Sequence, residues 1–162
     1  IGTYALRKTS GKTGMSLYMK SGFEVLRHRF RTYTMELSFD GAAPEHVESF
    51  ILANTIGETY GGGFRIAPGA LPTEGKLKVC MAGPASRMKT LVAFIAASKG
   101  QHTRFSNILT RKAAHVVVDF EEEPPAQIDG EQRHGTHFDI RVHPRAFRCI
   151  VPAGSSLPEL SL

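Results

Sequence analysis

The chain has no long apolar run, few cysteines and no block of like charge, and each shortage closes off a class of protein. Its longest apolar helical run, Leu91 to Ala97, lies between Lys89 and Lys99. That is far short of the roughly 20 residues a membrane-spanning helix needs. No secretory signal pattern stands at the start. The two cysteines, Cys80 and Cys149, sit far apart in apolar runs without metal spacing. They read as reduced, buried thiols of a cytoplasmic protein rather than a disulfide. The 20 basic residues outnumber the 15 acidic ones, for a net charge of +5 and a pI near 9.4. That balance favours anionic partners such as phosphates, acidic lipid or nucleic acid. The excess is not gathered in one long block, and a nucleic-acid surface would need a dense basic patch with interleaved aromatics, so nucleic acid ranks last. No Ser-His-Asp or Cys-His arrangement stands out from spacing.

What is present is one domain's worth of chain. The 162 residues are 41% hydrophobic and 22% charged, the balance of an ordinary soluble globular domain. The chain starts at Ile1, which suggests a piece of something longer. Residues 1–14 are small and polar and read as a linker or frayed lead-in. Residues 15–152 carry the periodic patterns of a folded domain, and residues 153–162 have the composition of a tail.

From Met15 the apolar positions Met15, Tyr18, Met19, Gly22 and Leu26 follow helical spacing, ending in the cationic "RHRFR" of Arg27–Arg31. Tyr33, Met35, Leu37 and Phe39 then alternate with polar residues, as in a half-buried strand closed by an Asp40–Gly41 turn. Val47–Ala53 is expected to be its partner. A glycine- and proline-rich loop follows, then a strand at Lys76–Met81. Ser86 is placed to cap a second helix, whose core face is expected to be Met88, Leu91, Val92 and Ile95. Further strands are expected at Arg104–Leu109, Ala114–Phe120, Ala126–Arg133, His137–Val142 and Ala146–Val151. The fold class is therefore mainly β with two helices, an antiparallel β-sandwich.

Several short motifs invite a sharper reading and do not sustain it. "SGKTG" at Ser10–Gly14 ends like a P-loop, but Leu6 stands where the first glycine is needed. "YGGGF" at Tyr60–Phe64 is not GxGxxG and opens no helix, so it reads as a tight turn. His134, His137 and His143 have no cysteine or acid to complete a metal set, and no metal site is expected from them. "RHRFR" suits either anionic lipid or a solvated helix end.

"AQIDGEQR" at Ala126–Arg133 is the more informative stretch. It reads either as a hairpin with Asp129–Gly130 at the turn, or as one strand running from Gln127 to a turn at His134–Gly135. The single strand is preferred, because the hairpin would leave a very short first strand against Pro124–Pro125. Asp129 and Glu131 would then share one face, roughly 7 Å apart, with Gly130 marking close approach by a ligand.

Four segments in order, "ANTIGETYGGGFRIAPGALPTEGKLKV" (Ala53–Val79), "ASKGQHTR" (Ala97–Arg104), "PAQIDGE" (Pro125–Glu131) and "RAFRCIVP" (Arg145–Pro152), resemble the C-terminal domain of diacylglycerol kinase and sphingosine kinase type lipid kinases. The resemblance runs from about Tyr18 to Pro152. It implies a β-sandwich that closes a cleft against an N-terminal nucleotide-binding domain. The GGDGT-like loop of that domain is absent here, so this chain alone is expected to be an inactive fragment. The implied reaction moves the γ-phosphoryl group of ATP, with Mg2+, to a lipid hydroxyl, diacylglycerol- or sphingoid-like. The resemblance makes Asp129 the candidate to take the hydroxyl proton and puts Gly130 and Glu131 near the nucleotide and magnesium. A structural metal is not expected: in "APGALPTEG" Gly69 stands where an acid is usual and Glu74 replaces an aspartate, leaving Glu74 a weak ligand. The implied partners are the missing domain, the lipid and a peripheral membrane surface visited from the cytoplasm, with a homodimer possible through a sheet edge. Two other readings stay open, a non-catalytic lipid- or protein-binding sandwich and, less favoured without a TPTGSTAY-like segment, an NAD kinase relative.

Overall fold

A computed structural model of the chain describes residues 15–28, 30–60, 63–148 and 150. The "SGKTG" stretch, Gly61, Gly62, Cys149, the end of "RAFRCIVP" and the expected tail lie outside the described residues.

Helix α1 spans Met15–His28 and places Arg27 and His28 in its last turn, where cations meet the partial negative charge of unsatisfied carbonyls. The alternating stretch is strand β1, Tyr33–Phe39, with Met35, Leu37 and Phe39 buried. Asp40 (φ 51°) and Gly41 (φ 79°) both take left-handed backbone in a tight turn that Ala42 N–H closes by donating to Phe39 O at 2.9 Å.

The expected partner Val47–Ala53 is in fact two strands in two sheets. β2 (Glu45–Ser49) pairs with β1, and β3 (Ile51–Thr55) pairs with β4 (Leu77–Ala82). The chain changes sheet at Phe50, whose N–H donates to Ala82 O at 2.8 Å. Ser49, 1% exposed, anchors the crossing with its single O–H, whose Oγ lies 2.6 Å from Ile51 O and 3.0 Å from Ala82 O. The apolar pattern runs straight through because both sheets bury one face in the same core.

After β4, helix α2 spans Arg87–Ala97, and Ser86 Oγ accepts from Lys89 N at 3.3 Å. Its buried face differs from expectation. Thr90, Ala93 and Ala97 pack inward, while Met88, Val92 and Ile95 are 69%, 47% and 50% exposed. Small residues let α2 lie close, and Phe94 reaches out to stack on Phe64 with ring centroids 5.1 Å apart. Arg104–Leu109 is also not a strand. A 3-10 turn at His102–Arg104 precedes β5, Ile108–Ala113. β6 (His115–Phe120) and β9 (His137–Arg141) match their expected strands closely, while 146–148 and 150 have no strand structure.

One antiparallel sheet has the order β2-β1-β6-β9 and the other β3-β4-β5. They enclose one core of Met35, Leu37, Phe39, Leu77, Val79, Met81, Ala113, Val116 and Val118. Among the described residues the protein is thus a mainly β, antiparallel sandwich-like α+β fold with two helices.

Candidate functional site: an acidic hairpin and a knitted loop

Ala126–Arg133 is not one strand. β7 (Ala126–Ile128) and β8 (Glu131–Arg133) form a separate two-stranded ribbon with the register Ala126↔Arg133, Gln127↔Gln132 and Ile128↔Glu131. Asp129 (φ 48°) and Gly130 (φ 92°) make its turn. Both central residues of such a turn need positive φ, which glycine adopts freely and aspartate tolerates better than most. That local requirement outweighs the shortness of β7. It also accounts for Gly130: a Cβ there would meet no protein atom within 4 Å, so within this chain it is the backbone angle that calls for glycine.

The turn sets the two acids apart. Asp129 is exposed at the tip, with no hydrogen bond or ion pair to it among the described residues. Glu131 follows on β8, 73% exposed, and accepts from Arg133 Nη2 at 2.7 Å along the same face. At the base, His134 Nδ1 and Glu123 Oε1 are 2.7 Å apart, and Pro124 is buried. Gly135 (φ 124°) follows, and β9 then returns to the main sheet. The hairpin projects from the end of the sheet where Phe120 N–H donates to Thr136 O and Glu121 N–H to Thr34 O.

The glycine-rich loop and the "KGQH" segment are brought together instead. Gly100 (φ 71°) would place a Cβ 3.0 Å from Pro68 and 3.3 Å from Arg65, so the two segments touch at backbone distance. Arg65 N–H donates to Ala97 O at 3.0 Å. Glu58 accepts from Gly69 N at 2.6 Å and from Arg65 Nη2 at 2.6 Å. The Gly69 N–H bond, then the Arg65 bond, holds the Glu58 carboxyl below the usual glutamate value. Lys78 Nζ donates to Pro68 O from beneath.

His102 closes this unit. It is 2% exposed, and its Nε2 lies 3.0 Å from Ile66 O and 3.5 Å from Cys80 Sγ. A carbonyl only accepts, so Nε2 carries the proton. Nδ1 is buried with no partner among the described residues. Burial pulls the imidazole below its ordinary pKa, keeping it neutral, while burial pushes the Cys80 thiol up to about 11. Glu58 and His102 were not singled out from sequence. His102 stood inside the quoted "KGQH", but that its ring is turned inward is visible only in three dimensions.

Glu74 lies 2.6 Å from Lys112 Nζ, near the start of β6, whereas the acidic hairpin leaves the far end of that strand. Both loop carboxylates, Glu58 and Glu74, are thus paired with protein cations or N–H groups. Among the described residues no three His, Cys, Asp or Glu side chains gather as metal ligands would. Asp129, like Glu48 and Glu121, is exposed with no hydrogen bond or ion pair to its carboxylate among the described residues.

Residues 8–151 match the YegS C-terminal NAD kinase beta sandwich-like domain family. The chain belongs to this family. A curated relative, the "Probable lipid kinase YegS-like" protein of Serratia proteamaculans (strain 568), is 28% identical over 110 residues, covering 68% of this chain and 35% of the relative. A crystal structure named as a diacylglycerol kinase from Bacillus anthracis str. Sterne superposes with a TM-score of 0.61 at 19% identity, covering 78% of this chain and 43% of that one. Another structure from the same strain gives 0.65 at 20% identity, covering 89% and 47%. The structural likeness shows the fold. Family membership and these relatives make the chain a C-terminal domain of the diacylglycerol kinase type lipid kinase family, and it spans about a third to a half of the proteins it matches.

Proposed function

We propose that this chain is the substrate-side domain of an ATP-dependent lipid kinase, and that Asp129 takes the proton of the lipid hydroxyl. The observation that carries the proposal is an unpaired, fully presented carboxylate at the tip of a hairpin, within a domain that belongs to a lipid-kinase family over nearly its whole length. In the reaction the lipid hydroxyl oxygen bonds to the γ-phosphorus of ATP as the bond to the β-phosphate oxygen breaks. The hydroxyl proton passes to Asp129, and ADP leaves. Such transfers depend on positioning and charge stabilisation, with a carboxylate orienting the nucleophile.

Magnesium, when bound with ATP, neutralises charge on the transferred phosphoryl group. Asp129 and Glu131 fit its vicinity chemically, as exposed hard-oxygen donors beside solvent. Glu131 is held by Arg133, which restrains its carboxylate beside the tip. The nucleotide is supplied by a separate N-terminal domain, and the acceptor is diacylglycerol- or sphingoid-like.

The test is phosphate transfer from γ-labelled ATP to diacylglycerol and to sphingosine, by the protein at its natural full length. Label in the lipid fraction is the expected result. Absence of transfer to any lipid alcohol, with the protein folded and ATP bound, would leave a non-catalytic binding sandwich in its place.

A further inference from the structure

The outer face of α2 breaks the usual rule for a surface helix. Met88, Val92 and Ile95 stand at i, i+4 and i+7, one continuous apolar stripe, and all three point to solvent. Phe23 on α1 is 54% exposed and lines a groove with Met88 and Leu91, extending the apolar surface across both helices. Apolar side chains grouped in this way mark an interaction surface.

The charges on α2 and the segments flanking it in sequence have one sign. Residues 75–118 hold no Asp or Glu and eight Lys or Arg. Arg27 and Arg87 line the groove beside Phe23 and Met88, and Arg104 lines a second groove with Val92. None of the three has a carboxylate partner among the described residues, whereas Arg31, Arg65, Arg111, Arg133 and Arg141 all do. The α1 acid Glu24 is half-buried. The histidine-paired acids Glu36, Asp119 and Asp139 lie on the β2-β1-β6-β9 sheet instead.

We infer that the α1–α2 face docks the protein on an anionic phospholipid surface. Met88, Val92, Ile95 and Phe23 enter the boundary between head groups and acyl chains, while Arg27, Arg87 and Arg104 meet lipid phosphates. An apolar stripe flanked by cations is the chemistry such an interface selects, and the one acid on either helix, Glu24, is half-buried. The inference builds on the lipid-kinase reading, since an enzyme acting on a bilayer lipid has to meet the bilayer. It also gives a purpose to a helix that turns its small side inward and its large apolar side out.

The experiment is co-sedimentation of the full-length protein with vesicles of equimolar phosphatidylcholine and phosphatidylserine, against vesicles of phosphatidylcholine alone. Wild type is expected to pellet with the anionic vesicles, with salt weakening the association. Arg87→Gln with Arg104→Gln should lower the partition coefficient about 5-fold or more per arginine. Met88→Ser with Ile95→Ser should abolish pelleting at an unchanged thermal midpoint, because both side chains are already in water. Wild-type binding by both variants, or no anionic binding by wild type, overturns the inference. So does a dimer that the serine variant converts to monomer, or hydrogen exchange showing the face already covered in the full-length protein. Phosphorylation of a short-chain, water-soluble diacylglycerol separates the two readings. If the soluble lipid is phosphorylated but vesicles are not bound, the docking face fails and the kinase stands. If vesicles are bound but neither lipid is phosphorylated, the reverse holds.

Discussion

Asp129 combines two properties that ordinarily compete: a non-glycine residue in left-handed backbone, and an exposed carboxylate with no partner among the described residues. Asparagine tolerates that backbone as well as aspartate does, so Asp129→Asn removes the charge and keeps the turn. His102 is the opposite kind of residue, one whose work is internal. Its Nε2–H satisfies Ile66 O and so ties the glycine-rich loop to the segment after α2. His102→Leu is expected to cost about 1–3 kcal/mol in urea unfolding, because it strands a carbonyl in the interior. The imidazole's pKa is lowered chiefly by burial, so its protonation opposes the fold. Wild-type stability should therefore be complete above the ordinary histidine value and fall as pH drops toward the lowered one, a fall that His102→Leu loses. Cys80, 1% exposed and with its thiol pKa near 11, should resist iodoacetamide in the native protein and react once it unfolds, as peptide mapping would read.

At the scale of elements, α1 meets α2 through a point contact that tolerates no added atom. A Cβ on Gly22 would sit 2.2 Å from the ring of Phe94, and that ring is stacked on Phe64. Gly22→Ala should therefore destabilise the helix pair by about 1–3 kcal/mol despite alanine's better helix propensity, as chemical denaturation would measure. This contact was not legible in the sequence, where Gly22 counted simply as one position on an apolar helical face. What the sequence did carry was period. β1, β6 and β9 alternate cleanly because one face of each meets the core, and Ser86 announces α2 by its side-chain chemistry. It misled where one pattern served two structures. Val47–Ala53 stays half-apolar through a change of sheet, and α2's large apolar residues look like a core face until the small face is seen packed inward. The acidic hairpin failed for a different reason. The Asp-Gly pair is a strong turn signal, and the backbone angles it adopts so readily outweigh the shortness of β7.

Across the whole molecule, charge is sorted by face. One row of the β2-β1-β6-β9 sheet runs His46, Glu36, Asp119, His137, placing two acids directly opposite each other and a histidine outside each, at 2.7 Å and 2.6 Å. Bare acids in that arrangement would repel. The hydrogen bond to Glu36 is the main cause that raises the His46 pKa, so its contribution is present below the ordinary histidine value and lost as pH rises through the raised one. Asp139 and Glu58 act in the other direction. Asp139 is lowered first by Arg141 and then by His115, and Glu58 first by Gly69 N–H. Both contributions are present above the ordinary carboxylate value and vanish as pH falls through the lowered ones. Stability followed by urea midpoint should thus fall steeply in acid and only slightly above neutrality.

Helices α1 and α2 carry one acid between them, Glu24, and the hairpin with Asp129 projects from the end of the sheet. The decisive measurement is kcat/KM for ATP-dependent phosphorylation of diacylglycerol by full-length wild type, Asp129→Asn and Glu131→Gln. A loss of about 10²–10⁴-fold for Asp129→Asn at an unchanged thermal midpoint, with a smaller loss for Glu131→Gln, is the predicted result. Asp129→Asn retaining wild-type kcat/KM would contradict the account.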